Sequence, residues 1–534
     1  MDKPSENTGN IARSAGVVSF AVMCSRVLGL VREQIFAWFF GAGFAYDAFV
    51  VAFRIPNLLR DLFGEGALSA AFVAVFADYD TNKSKAETWR LVNNVLICIG
   101  LILSVIILLG IFFAKPIVLL IAPDYAQVAG KIELTRWLTV IMFPFLIFVS
   151  LAAVVMGALN AKGKFFIPAM ASSFFNLGSI VGGVSLALIL PKFGYPAIVG
   201  MAFGTLIGGA LQFAGQLPTL CKTGFRFRPV INFTDPGLKR IFWLVIPAVI
   251  GLGATQINIF INTNFAASCA QGSVSWLNYA FRLVQFPIGL FGVAVSIASM
   301  PVFSRYAAVK DMEGIRETYV SSLTLAFCMT IPSTVGLYFL AVPITRIIFE
   351  HGAFTSLDTV KTAEALSFYV LGLFAYACVK ITVPVFYALN DTKFPVIASF
   401  LAVAANIITI LLTIDVLQHK AIALSTSCAM AGNFLFLIIV LYRKISGFSI
   451  SYLMAGLTKV LAASCVMGLW IVALAKLLGV WMRTGIAHDI FGLLIIVVSG
   501  ALLYGGVLHL LRLKEMQFLV EKIAGRLTKK RQVR

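Results

Sequence analysis

The chain has 534 residues, of which 60% are hydrophobic and 12% charged, with a mean hydropathy of +0.95 and a formal net charge of +19. Soluble domains carry about a quarter charged residues, so an ordinary soluble fold is excluded, and polar gaps that seldom exceed about 20 residues leave no room for a hidden soluble domain. Lys and Arg gathered in cytoplasmic loops account for the basicity without a nucleic acid partner.

The polar start, MDKPSENTGNIAR, runs into an apolar stretch that passes Phe40 with no small-residue cleavage site, so the first helix is expected to stay in the protein. Apolar runs punctuated by Gly, Pro and charge predict helices near 12–40, 45–77, 90–114, 132–160, 166–190, 195–219, 237–267, 273–303, 318–343, 360–389, 394–415, 421–442, 452–479 and 487–511. The chain is therefore expected to be an all-α polytopic membrane protein of about fourteen transmembrane helices. With the N-terminus inside, about 26 Lys and Arg fall on one side and about eight on the other, which predicts that both termini are cytoplasmic. The last segment spaces Leu513, Met516, Leu519, Ile523 and Leu527 between basic residues, a pattern suited to an anionic leaflet.

A repeat runs through these helices. Ala52-Phe53-Arg54, seven residues, then Leu62-Phe63-Gly64 returns as Ala280-Phe281-Arg282, seven residues, then Leu290-Phe291-Gly292, an offset of 228 positions. Ala158-Leu159-Asn160 with Asn176 matches Ala388-Leu389-Asn390 with Asn406 at 230, and Phe76 and Tyr79 match Phe303 and Tyr306 at 227. About six helices separate equivalent points, an even number, so the copies share one orientation, a plan common in carriers that alternate access around a central site. This predicts two parallel six-helix lobes, 1–225 and 226–445, followed by helices 13 and 14 over 446–511 and a basic cytoplasmic tail over 512–534.

An ionised side chain at a helix centre costs about 2.5–3.5 kcal/mol to insert, so charges inside apolar runs are functional candidates. Helix 1 carries Arg26, Arg32 and Glu33; helix 2 carries Asp47, Arg54, Arg60, Asp61 and Glu65; helix 8 carries Arg282 and helix 10 carries Lys380. Asp47, Arg54, Asp61 and Glu65 fall on one stripe of helix 2, and Arg60 joins it only if Pro56 resets the phase. Buried pairs such as Arg26–Glu33 and Arg54–Asp61 would explain part of this set as helix-locking contacts, and for Arg54, Asp61 and Glu33 that reading stands level with a functional one. Arg26, Arg32, Arg60 and Arg282 exceed what pairing requires. Guanidinium groups bind phosphate oxygens bidentately and stay charged when desolvated, so these four point to a phosphate-bearing substrate.

Other residues give less. Lys380 reads equally as a coupling residue or as a lysine snorkelling toward Tyr376. Asp391 and Lys393 read as turn and topology residues, and Arg346-Ile-Ile-Phe-Glu-His351-Gly as a gate at the outer end of helix 9. Eight scattered cysteines read as packing residues, and four histidines at helix ends lack metal-ligand spacing, so no metal site is expected. No G-x-x-x-x-G-K-[ST], H-E-x-x-H or G-x-S-x-G occurs, which predicts a non-enzyme without ATPase chemistry.

The stretch SRVLGLVREQIFAWFFGAGFAYDAFVVAFRIPNLLRDLFGEGALSAAF from Ser25 resembles the first two helices of the MurJ/MviN lipid II flippases, of the MOP exporter superfamily. GSVSWLNYAFRLVQFPIGLFGVAVS from Gly272, FEHGAF from Phe349 and ALNDTKFP from Ala388 resemble the same family. The resemblance implies a MOP-type fold and flipping of lipid II, the undecaprenyl-diphosphate-linked disaccharide-pentapeptide, from the inner to the outer leaflet of the bacterial cytoplasmic membrane. It carries over Arg26, Arg32, Asp47, Arg60 and Arg282 as substrate-site residues, with Asn57 and Ser275 in the same motifs.

In the implied mechanism Arg26, Arg32 and Arg282 grip the diphosphate, Arg60 adds positive potential, and Asp47 works an outer gate by pairing with an arginine. Helices 13 and 14 form the groove for the lipid tail. Some members hold sodium in the second lobe, for which Asp235 and Asp391 are the available carboxylates here without a full ligand set. No cofactor is expected, and coupling to the membrane potential or to a monovalent cation is. Partners are lipid II, membrane lipids and cell-wall synthesis proteins, with no nucleic acid. The rival expectations are a sister exporter of another polyprenyl-diphosphate sugar, a drug antiporter, or a scaffold that would not need intramembrane arginines.

Overall fold

The computed structural model describes residues 4–61, 67–482 and 485–513, which among themselves form helices and no strands. Contacts divide the chain into two compact units, Met1–Ser275 and Trp276–Arg534. The first holds α1 Pro4–Phe40, α2 Phe44–Arg60, α3 Ala67–Asn82, α4 Lys85–Phe112, α5 Ala114–Ile121, α6 Lys131–Met142, α7 Phe145–Ala161, α8 Phe166–Ile189, α9 Ala197–Ala214, α10 Leu217–Lys222 and α11 Pro236–Ser268. The division falls within α12 Ser273–Pro287. The second unit continues with a π-helical turn at Ile288–Gly292, α13 Val293–Ala308, α14 Met312–Phe339, α15 Ala341–Phe349, α16 Ser356–Val370, α17 Leu373–Ala388, α18 Lys393–Leu417, α19 His419–Lys444, α20 Ile450–Met482 and α21 Ile486–Leu510.

Among the described residues ten helical stretches are long and apolar enough to cross a membrane, and an eleventh arises if α16 and α17, bent by 43°, count as one span. These match eleven of the fourteen predicted spans. The other three predictions fall on α1, on α2 and α3, and on α11. Of the run expected as one helix over 45–77, the described residues show α2 to Arg60, 17 residues that carry Asp47, Arg54 and Arg60, and α3 from Ala67. Glu65 and the Leu62-Phe63-Gly64 element of the repeat lie outside the described residues, as does the amphipathic tail beyond Leu513. The repeat has a backbone counterpart nonetheless. Asp61 and, at the equivalent place 228 positions on, the Ile288–Gly292 turn both leave α-helical for π-helical geometry.

In the first unit an aromatic ladder joins α1, α2, α7 and α8. Phe36 meets Phe49 at 4.7 Å, Phe49 meets Phe53 at 6.2 Å, Phe53 meets Phe145 at 5.8 Å and Phe145 meets Phe175 at 5.4 Å between centroids. Helices α8 and α9 approach through glycines. A Cβ on Gly200, Gly204 or Gly208 would lie 2.2, 2.4 or 2.5 Å from backbone atoms of Ala187, Gly183 or Phe175, the small-residue packing that lets membrane helices gain dispersion contacts where lipid supplies no hydrophobic drive. Helix α11, which the repeat assigns to the second six-helix set, packs on α3, α4, α5 and the Pro123–Gln127 turn of the first unit.

The second unit is built on one buried cluster that includes Phe303, Tyr319, Ile381, Phe386 and Leu437 and continues into Val460, Met467 and Ile496 of α20 and α21. Tyr504 of α21 donates to the Cys328 carbonyl of α14 at 2.8 Å, so the last two helices share this core. The α16–α17 bend has a local cause: Ser427 of α19 donates to the Phe368 carbonyl and accepts the Gly372 amide, at 2.7 and 3.1 Å, satisfying groups that the bend takes out of the helical ladder.

Candidate functional site

In the first unit one set of polar contacts starts on α1 and ends at Tyr46 of α2. Arg32, with 12% of its side chain exposed, donates to Glu33 at 2.9 Å and lies with its guanidinium carbon 5.3 Å over the Phe175 ring. Glu33 is 2% exposed and accepts the Tyr46 hydroxyl of α2 at 2.6 Å through its other oxygen. The carboxylate and the ring face thus fix the guanidinium plane, which is the preorganisation a phosphate-binding fork needs. Arg26 sits two turns earlier on α1, half-buried, beside Ser25, whose carbonyl accepts Asn176 of α8 at 3.1 Å. Asn176 is the asparagine that the repeat singled out.

Next to Tyr46, Asp47 forms a fully buried node. One oxygen accepts the Lys131 ammonium of α6 at 3.1 Å and the Gly272 amide at 2.8 Å. The other accepts the Ser275 amide at 3.0 Å and the Ser275 hydroxyl at 2.6 Å. Four donors meet a group that can accept about four, so the desolvated charge is satisfied. The Lys131 ammonium also stands 4.1 Å over the Tyr125 ring. Burial, with the Asp47 charge behind it, raises the Tyr125 phenol well above its usual pKa, so it stays neutral beneath the ammonium. The expected arginine partner of Asp47 is thus corrected: the cation here is Lys131. The local sequence gave no sign of it, because a lysine after Gly130 at the start of an apolar run reads as a loop charge.

Farther along α2, Asn57 is half-buried one turn before Arg60. Arg60 donates to Asp61 at 2.9 and 3.2 Å, and Asp61 also accepts Gln256 of α11 at 3.3 Å. Asp61 is therefore bonded by its sequence neighbour, whereas the expectation named Arg54. The first unit holds two polar groups side by side on α2, one joining Arg32 to Tyr46 through Glu33 and one joining Asp47 to Lys131 and Ser275, and places Arg26, Asn57 and Arg60 on the same two helices.

In the second unit Arg282 donates to Gln285, a turn later on α12, at 3.2 Å. Trp276 donates to Asp358 at 2.9 Å, and Asp358 closes a capping box with Thr355 at the start of α16. In the Arg346–Gly352 motif Glu350 accepts the Thr359 hydroxyl at 2.5 Å and lies 3.7 Å from Arg346, while Gly352 supplies a left-handed turn at φ 61°. Lys380 is exposed and its backbone carbonyl accepts Ser296. Of the two carboxylates considered for a cation, Asp235 caps α11 through the Leu238 amide, and Asp391 accepts Lys444 and the Lys393 amide. No group of three His, Cys, Asp or Glu suited to a metal occurs among the described residues.

Residues 36–495 match the family model described as "Lipid II flippase MurJ". A protein of Buchnera aphidicola subsp. Acyrthosiphon pisum named "Probable lipid II flippase MurJ" is 34% identical over 439 residues, 82% of this chain and 84% of that one. The solved structure titled "Lipid II flippase MurJ, inward closed conformation" superposes with a TM-score of 0.76 at 30% identity, over 92% of this chain and 97% of its own. A multidrug MATE family transporter of the MOP superfamily, inward-facing, matches at TM-score 0.64 over 81% of this chain and 98% of its own, and at 14% identity it attests the fold alone. The family model over residues 36–495, together with relatives and a solved structure at 30% identity or more over most of the chain, places the chain in the lipid II flippase MurJ family.

Proposed function

We propose that the protein flips lipid II, the lipid-linked precursor of peptidoglycan, from the inner to the outer leaflet of the bacterial inner membrane by alternating access, for cell-wall synthesis. The observation that carries this reading beyond family membership is the aimed guanidinium of Arg32, held by Glu33, Tyr46 and Phe175 inside an apolar helix bundle. A fixed, desolvated fork suits a diphosphate and does not suit a cationic drug. In this reading Arg26, Arg32 and Arg282 hold the diphosphate, Arg60 adds positive potential, and the Asp47 node closes the outer gate. The undecaprenyl tail stays in lipid beside α20 and α21. Both termini are cytoplasmic, and entry of the anionic headgroup is coupled to the membrane potential, at about 2.3 kcal/mol per charge per 100 mV, or to a monovalent cation.

The test is growth of a strain depleted of its own lipid II flippase. Expression of the wild-type chain should restore growth and deliver lipid II to the outer leaflet, and Arg26→Ala and Arg282→Ala should do neither at matched abundance. A well-expressed wild type that restores nothing would move the assignment to export of another polyprenyl-diphosphate sugar.

A further inference from the structure

Lys131 lies outside every motif named above, yet it is among the most completely buried charges of the first unit, with 2% of its side chain exposed. It is also in an unfavourable place. As the first residue of α6, after Gly130 in the left-handed region at φ 75°, its ammonium sits where the helix dipole opposes a cation. Nothing about α6 itself calls for a buried lysine at that position. Its polar partner is Asp47, at 3.1 Å, and the Tyr125 face at 4.1 Å closes its other side.

The remaining ligands of Asp47 share one origin. The Gly272 amide, the Ser275 amide and the Ser275 hydroxyl all belong to the entry into α12. Helix starts leave amides without partners inside the helix, and a side chain just before the helix ordinarily accepts them. Here the local hydroxyl, Ser273 Oγ, is buried and makes no hydrogen bond among the described residues. A carboxylate from α2 supplies the cap instead, reaching across 225 and 228 positions of sequence.

We infer that Lys131 is a positioning residue that keeps the Asp47 carboxylate charged and aimed at the first turn of α12, so that an ion pair between α2 and α6 sets how firmly that turn is held. With the ammonium present, one oxygen is shared between Lys131 and the Gly272 amide while the other is free for Ser275. With it gone, a buried carboxylate faces neutral donors alone, and its cap on α12 weakens. The functional half of this inference, that the held turn belongs to the transport cycle, rests on the flippase reading.

The experiment is amide hydrogen exchange on the full-length protein in lipid nanodiscs, read on peptides covering 269–280, with complementation run in parallel. The amides that contact Asp47 report the cap directly, whether or not the substrate is known. Lys131→Met, close in length, should speed exchange of these amides about tenfold or more, as Asp47→Asn should, while peptides from α8 and α9 stay unchanged. Lys131→Arg should exchange like wild type and support growth, which a role in packing alone does not predict, since arginine is bulkier than methionine. If Lys131→Met is too unstable to purify, Asp47→Asn with Lys131→Met removes both charges and should recover abundance while exchange stays fast. Slow exchange in Lys131→Met or in the double variant would overturn the inference. Failure of the wild type to support growth would instead remove the flippase reading and leave the exchange result standing.

Discussion

Gly204→Ala adds one methyl group to α9, and the structure sets its cost. The new Cβ would lie 2.4 Å from the Gly183 Cα, 2.6 Å from its nitrogen and 2.7 Å from the Ser179 carbonyl oxygen, all backbone atoms of α8 that no rotamer change can clear. Carbon atoms in contact sit about 3.5–4.0 Å apart, so α9 must retreat by about 1 Å, and a gap of 0.5–1 Å already forfeits a quarter to a half of each dispersion well along the seam. The expected penalty is about 2–3 kcal/mol, at the upper end of single overpacking changes. Gly100→Ala on α4 is the control, because nothing lies within 4 Å of its Cβ. There the same methyl should raise stability by about 0.5–1 kcal/mol through helix propensity. Thermal unfolding of the purified protein in one detergent, followed by tryptophan fluorescence, should place Gly204→Ala about 2–3 °C below wild type and Gly100→Ala at or above it. Equal midpoints for the two variants would refute the claim that backbone contact through these glycines holds α8 to α9.

Asn94→Leu should loosen the connector before α11, because the Asn94 amide and carbonyl exchange hydrogen bonds with the Asn232 carbonyl and amide at 2.8 and 2.7 Å. Leaving both backbone groups without that partner should cost about 2 kcal/mol, and limited proteolysis should then cut near 225–235, where wild type resists. Asp391, outside the helices, has its carboxyl held below the usual value by the Lys444 ammonium, against a smaller opposing effect of burial. A lowered folded-state pKa means that this group stabilises above the ordinary carboxylate value of about 3.9 and loses its contribution as pH falls through the lower, folded value. Unfolding midpoints across that acidic window should therefore fall less steeply with pH in Asp391→Asn than in wild type, and identical slopes would count against the ion pair.

What the sequence determined on its own is whatever is expensive in lipid. Charges at Arg26, Arg32, Asp47, Arg60 and Arg282 stood out because an apolar helix tolerates few of them, and Ala52-Phe53-Arg54 returned at Ala280-Phe281-Arg282 because duplicated helices keep duplicated motifs. Apolar runs located eleven of the predicted spans for the same reason, since backbone groups in lipid must be satisfied within a helix. Tertiary structure decided which charges meet. Asp47 is bonded by residues 84, 225 and 228 positions away, and no periodicity or spacing reports a contact at that range. Lys131 was hidden because a lysine beginning a helix looks the same in sequence whether it faces water or is folded under a tyrosine against a carboxylate. Only packing distinguishes the two, because burial, which makes the charge costly, is a property of the neighbours that surround it.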